Sequence, residues 1–166
     1  MTGPADPRAQ ELIRDLRLQP HPEGGRFAEA FRSPRLVRAA GDARDRAAVT
    51  TIYFLLAEGE ASRWHRLDAD EIWHFYEGAP VELFHLDAAA QILTRTRVGP
   101  VAAGAAPVRV VPAGSWMAAR PLGRFALVGC TVGPGFEPEG FVLMMKDAPE
   151  VAVDVARRFP EVADLI

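Results

Sequence analysis

The chain has 166 residues, about half of them apolar and a quarter charged, enough to bury one core without disulfides or a structural metal. A net charge of −3 gives no electrostatic ground for nucleic-acid or membrane partners, and the single cysteine, Cys130, excludes an intramolecular disulfide framework. With no signal-peptide pattern and no apolar stretch long enough to span a bilayer, a reducing, cytoplasmic setting is expected.

Asp6 followed by Pro7 is a helix start, and Leu12, Ile13 and Leu16 continue at helical spacing, so the reading is a short amphipathic helix over 7–18. "QPHPEGG" (Gln19 to Gly25) ends it with two prolines and two glycines, and reads as a stiff turn into the first strand rather than a lid. "RFAEAFRS" is a strand, and Pro34 to Arg46 a charged loop. From Ala47 onward, short runs rich in Val, Ile, Phe and Thr recur about every ten residues between turn residues, the rhythm of an antiparallel sandwich or barrel. The tail returns to helix, with Asp147 as cap, Pro149 in the first turn and Glu150 at the acidic position of a capping box. No linker or repeat divides the chain. It reads as one domain over 1–166, a β-barrel over 26–145 between helices at 7–18 and 148–158.

Chemistry concentrates in "GEASRWHRLDADEIWHFYEG", Gly59 to Gly78, which holds two of the four histidines. Strand alternation places His65 and Leu67 on one face, with Arg63 sharing it. "DAD" (Asp68 to Asp70) is a turn, after which Glu71, Trp73 and Phe75 share a face and His74 and Tyr76 take the other. A hairpin here brings His65 and Glu71 together and leaves His74 as a satisfied or interface residue. His85 reads as a surface or intersheet residue. Cys130, with no neighbouring base in sequence, reads as a small buried thiol.

The spacing from Gly59 through His65, Leu67 and Glu71 to Gly78 resembles the first cupin motif, G-x5-H-x-H-x3-E-x6-G, with leucine at the second histidine. "VPAGSWM" resembles the core of the second motif, with Met117 at the third histidine, although Ala106 and Pro121 depart from its outer positions. Taken with "PHPEGGRFAEAFRS", "TTIYFLL" and "ALVGCTVGPGFE", these blocks are similar to the uncharacterised single-domain subfamily sometimes called cupin type five. The resemblance covers Pro20 to Glu137 and implies a mostly β fold: a double-stranded β-helix, the cupin jelly-roll barrel of the kind seen in dTDP-sugar epimerases, often a homodimer.

Three readings of the site follow. In the first, the barrel binds a small polar, acidic or sugar-like ligand around His65 and Glu71, with Trp73, Phe75, Trp116 and Met117 as walls and Arg26 or Arg63 as a fixed cation. In the second the protein is an enzyme. The epimerase resemblance makes His65 a metal-free base, with Glu71 orienting it and Tyr53 as proton donor; otherwise His65 and Glu71 hold a weakly bound divalent metal, two ligands where three are usual. In the third, the pocket is vestigial and the dimer is a scaffold.

Overall fold

The computed structural model describes residues 6–87, 92–102 and 104–166. Helix α1 (Pro7–Asp15) is followed by β1 (Gln19–Pro20), β2 (Arg26–Arg32), β3 (Leu36–Val37), β4 (Arg46–Ala47), β5 (Thr50–Ala57), β6 (Ser62–Leu67) and β7 (Asp70–Gly78). Next come β8 (Val81–Asp87), β9 (Ile92–Val98), β10 (Val108–Val111), β11 (Trp116–Pro121), β12 (Phe125–Gly133) and β13 (Phe141–Leu143). Two helices, α2 (Met144–Asp147) and α3 (Pro149–Arg158), lead to a closing 3₁₀ segment, Pro160–Leu165.

Apart from the separate β3–β4 ladder, the strands form two antiparallel sheets, one ordered β1-β2-β5-β12-β7-β10 and the other β13-β6-β11-β8-β9. Alternation sorts the apolar residues between them. On β5, Ile52, Phe54 and Leu56 join the cluster between the sheets, while Tyr53 and Leu55 face out under α1. On β11, Met117 and Ala119 face in, while Trp116 and Ala118 face out under the C-terminal helices. The fold is thus a β-sandwich closed toward a barrel, with one helical layer on the back of each sheet.

Asp6 caps α1 as read from the sequence, accepting from the N–H groups of Arg8 at 2.9 Å and Ala9 at 3.3 Å. The second capping expectation fails. The residue ahead of α3 is Ala148, which cannot cap, and Asp147 instead accepts the Leu143 N–H at 2.9 Å, so it closes α2. The charged stretch 34–46 carries the short β3–β4 ladder, and Arg46 is only 2% exposed. Its guanidinium donates to Asp68 at 2.9 Å and to the Gly135 carbonyl, tying three loops at one end of the barrel.

The His65–Glu71 hairpin does not form. β6 belongs to the five-stranded sheet and β7 to the six-stranded one, so the "DAD" turn crosses between sheets. His65 and Glu71 therefore look toward the interior from opposite walls.

Candidate functional site

Among the described residues, His65 at 2% exposure, Glu71 at 5% and Glu23 at 6% set an imidazole and two carboxyls deep in the barrel. Glu23 comes from the turn that the sequence reading assigned to backbone geometry alone. The turn is indeed stiff. His21 N–H bonds the Gly25 carbonyl at 3.0 Å and Gly24 N–H bonds His21 at 3.0 Å. Both glycines take left-handed φ values, and a Cβ on Gly24 would lie 2.1 Å from the Ala61 carbonyl oxygen. That close approach drives the Glu23 carboxyl between the sheets, where Ser62 Oγ donates to its Oε1 at 2.8 Å.

His65 is held by two contacts. Its Nδ1 lies 2.8 Å from the Arg63 carbonyl, which only accepts, so Nδ1 carries the proton. Its Nε2 lies 3.2 Å from Glu23 Oε2. The ring stacks on Phe141 at 5.6 Å. His21 packs edge-on against Phe27 and Phe54, and its Nδ1 accepts the Glu23 N–H at 3.3 Å. On the opposite wall Trp73 Nε1 donates to Glu71 Oε2 at 3.1 Å, and the Cys130 thiol also bonds this carboxyl.

Burial sets the protonation. It pushes the Glu23 carboxyl up to about 8 against the Ser62 hydrogen bond, and Glu71 up to about 7, with the neighbouring His65 opposing and Glu23 adding to the rise. Burial also lowers His65, partly offset by Glu71 and the Arg63 carbonyl, and lowers His21 to about 4. Cys130 is raised by burial and then by Glu71, so it is a thiol rather than a thiolate.

Several expected site residues lie elsewhere. A bulge causes one displacement: Met117 pairs with His65 but Ala119 pairs with Ser62, so β6 carries an extra residue. Ser62 and His65 consequently both face in, and Arg63 is turned out to bond the Ile166 carbonyl at 2.9 Å. Arg26 stands opposite Leu55 on the face under α1. Tyr53 shares that outer face, its ring 6.1 Å from Tyr76, so it cannot donate a proton inside the barrel. Trp116 packs beneath α3 with Arg66 at 4.8 Å over its ring. Trp73, Phe75 and Met117 do face the interior, and so does His85, paired with Met117. His21 and Glu23 lie in the segment that the sequence reading weighs as a lid and prefers as a turn, so neither has a place in the expected site, and Ser62 is not singled out. The available signal was a His and a Glu two apart in a turn whose glycines allow close backbone approach.

The donor set does not fit a divalent metal. His65 has its Nδ1 on a carbonyl and its Nε2 on Glu23, and one Glu71 oxygen is taken by Trp73. Leucine and methionine occupy the positions where further histidines would stand. Among the described residues no three His, Cys, Asp or Glu side chains converge as ligands would.

Two antiparallel sheets packed face to face around an apolar core that also buries carboxyl and imidazole groups make an architecture that solved cupin folds share. Oxalate decarboxylase from Bacillus subtilis, at 14% identity, matches 93% of this chain and 38% of its own with a TM-score of 0.57, a likeness of fold alone. The family model described as Cupin superfamily (DUF985) matches residues 10–144, and the chain belongs to that family. A hypothetical protein from Leishmania major is 30% identical, covering 95% of this chain and 96% of its own, with a TM-score of 0.80. A Shewanella oneidensis protein is 31% identical, covering 95% and 93%, with a TM-score of 0.79. Among curated proteins nothing matches. Among the described residues no helix is long and apolar enough to cross a membrane.

Proposed function

We propose that the barrel interior binds a small polar or acidic molecule, and that Glu23 and His65 exchange a proton with it. The observation that carries this reading is the 3.2 Å approach of His65 Nε2 to Glu23 Oε2. With Nδ1 already donating, both facing atoms are acceptors unless one proton lies between them. Burial favours the uncharged arrangement, in which the Glu23 carboxylic acid donates to a neutral imidazole. Two carboxyls and an imidazole occupy space that apolar side chains would fill at lower cost, which supports a chemical role over a packing one. Trp73 and Phe75 supply an apolar wall, and His21, the most exposed of the group at 13%, borders the approach.

A second reading is isomerisation by proton transfer, favoured by the two protonated carboxyls on separate walls. His65 accepts a substrate proton at Nε2 once the Glu23 O–H turns to the ligand, and Glu71 takes the donor role that Tyr53 cannot reach. Native mass spectrometry of the purified protein tests the binding reading. It should reveal a co-purified small molecule, and that molecule at a hundredfold excess over its Kd should stabilise the protein by about 2.7 kcal/mol. Protein that carries nothing and that no member of a metabolite library stabilises would rule the reading out. Deuterium wash-in from solvent, abolished by His65→Gln, separates catalysis from binding.

A further inference from the structure

Arg109 was not singled out in the sequence, yet the register puts it on the inner wall. β10 pairs with β7 so that Arg109 stands opposite Trp73 and Val111 opposite Glu71. Val108 and Val110 are 46% and 52% exposed on the outer face, whereas Val111 is fully buried, so Arg109 shares the inward face with Val111. As diagonal neighbours in the ladder, Arg109 and Glu71 are about 7–8 Å apart along the backbone.

The Arg109 Nε is buried and has no hydrogen-bond partner among the described residues. The buried Arg46 guanidinium is satisfied, and so are the more exposed arginines around Glu82. Arg46 spans Asp68 and the Gly135 carbonyl, and Arg95 and Arg120 both donate to the buried Glu82. Buried N–H donors are paired in folded proteins, so an orphan aimed inward is a donor waiting for an acceptor that arrives from outside the chain.

We propose that Arg109 binds the carboxylate of the molecule that occupies the barrel. This rests on the pocket reading above and adds the ligand class, a small monocarboxylate whose polar remainder reaches toward Glu71. The guanidinium fork matches a planar carboxylate in a bidentate pair. A single cation argues for a monoanion over a phosphate dianion, because the neighbouring arginines lie outside the barrel. Arg26 and Arg63 face out, Arg66 covers Trp116, and Arg95 and Arg120 lie over Phe84. Protonated Glu71 presents the ligand with a hydrogen-bond donor instead of a repelling charge, and His85 and its neighbour Thr94 offer polar contacts from the facing wall.

The test follows the Arg109 Nε–H resonance by nitrogen-15 NMR, assigned by its loss in Arg109→Lys. Lactate and gluconate are titrated against potassium chloride at matched ionic strength, with phosphate as a second arm and lactamide as the neutral isostere of lactate. The expected result is a saturable shift with the carboxylates, a weaker one with phosphate and none with chloride or lactamide. A resonance that no carboxylate moves, or that chloride moves equally, overturns the proposal. Lactamide and lactate moving Trp73 Nε1–H alike, with Arg109 unmoved, also overturns the anchor while leaving the pocket standing. Arg109→Met provides a fold-independent check. With the orphan donor gone, its melting temperature without anions should equal or exceed that of the wild type, and a large fall would give Arg109 a structural role instead.

Discussion

Glu23 carries the sharpest consequence, because its protonation is linked to folding. Its folded-state pKa of about 8 lies above its ordinary 4.5, as does that of Glu71 at about 7. For both groups the stabilisation is complete below pH 4.5 and is lost as pH rises through the folded value. His21, lowered from 6.5 to about 4, works in reverse, its contribution present above pH 6.5 and lost toward pH 4. The two effects oppose each other between pH 4.5 and 6.5, and only the carboxyls titrate above that window. Stability should therefore fall between pH 6.5 and 8, by at most about 1.4 kcal/mol per pH unit for each group. Glu23→Gln keeps a donor toward His65 and an acceptor for Ser62 without titrating, so denaturant melts of this variant should lose the larger part of the pH 7–8 slope and keep only the share that Glu71 contributes. A variant that keeps the wild-type slope there would place the titrating group elsewhere.

At the scale of elements, the Pro20–Gly25 turn decides whether those residues meet. Gly24 has φ +112° and its missing Cβ would sit against a backbone carbonyl, which cannot move aside as a side chain would. Gly24→Ala should cost roughly 2–4 kcal/mol, by strain and by backing Glu23 out of the barrel. Its melts should consequently lose the Glu23 share of the pH 7–8 slope as well, whereas an equally destabilising core substitution should keep it. This turn also marks how far the sequence could be read. Its stiffness was legible from Pro and Gly, but its function depends on Ala61 and Ser62, about forty residues away, and no local pattern carries that contact. The β6 bulge is a second case. Alternation located His65, Leu67, Trp73 and Phe75 correctly, and one extra residue in the strand was enough to trade Arg63 for Ser62. The strands themselves were legible because their apolar alternation is a local property. Sheet membership was not, since β6 and β7 look like a hairpin until the barrel separates them.

At the scale of the whole molecule, each sheet has two working faces, and they serve different purposes. The inner faces hold an apolar cluster together with Glu23, Glu71 and His65, while the outer face of the five-stranded sheet anchors the C-terminal helices through Trp64, Phe84 and Trp116. Trp64 Nε1 donates to the Val162 carbonyl at 3.2 Å, so the closing 3₁₀ segment is bonded as well as packed. Trp116 is 2% exposed, and Trp116→Ala should cost about 3–5 kcal/mol through the cavity it leaves. Its chain neighbour Met117 lines the interior, so backbone adjacency alone cannot insulate the two faces. What insulates them is alternation, since the Trp116 side chain leaves the sheet away from His65 and shares no partner with Glu23. Effects at sites without shared partners add. Trp116→Ala combined with Glu23→Gln should therefore show the sum of the two stability changes, and Trp116→Ala alone should keep the wild-type pH slope between 7 and 8. Denaturant melts of both single variants and the double variant, repeated at pH 7 and pH 8, check this. A coupling above about 0.5 kcal/mol would mean that the helical layer and the barrel interior act on one another through the sheet.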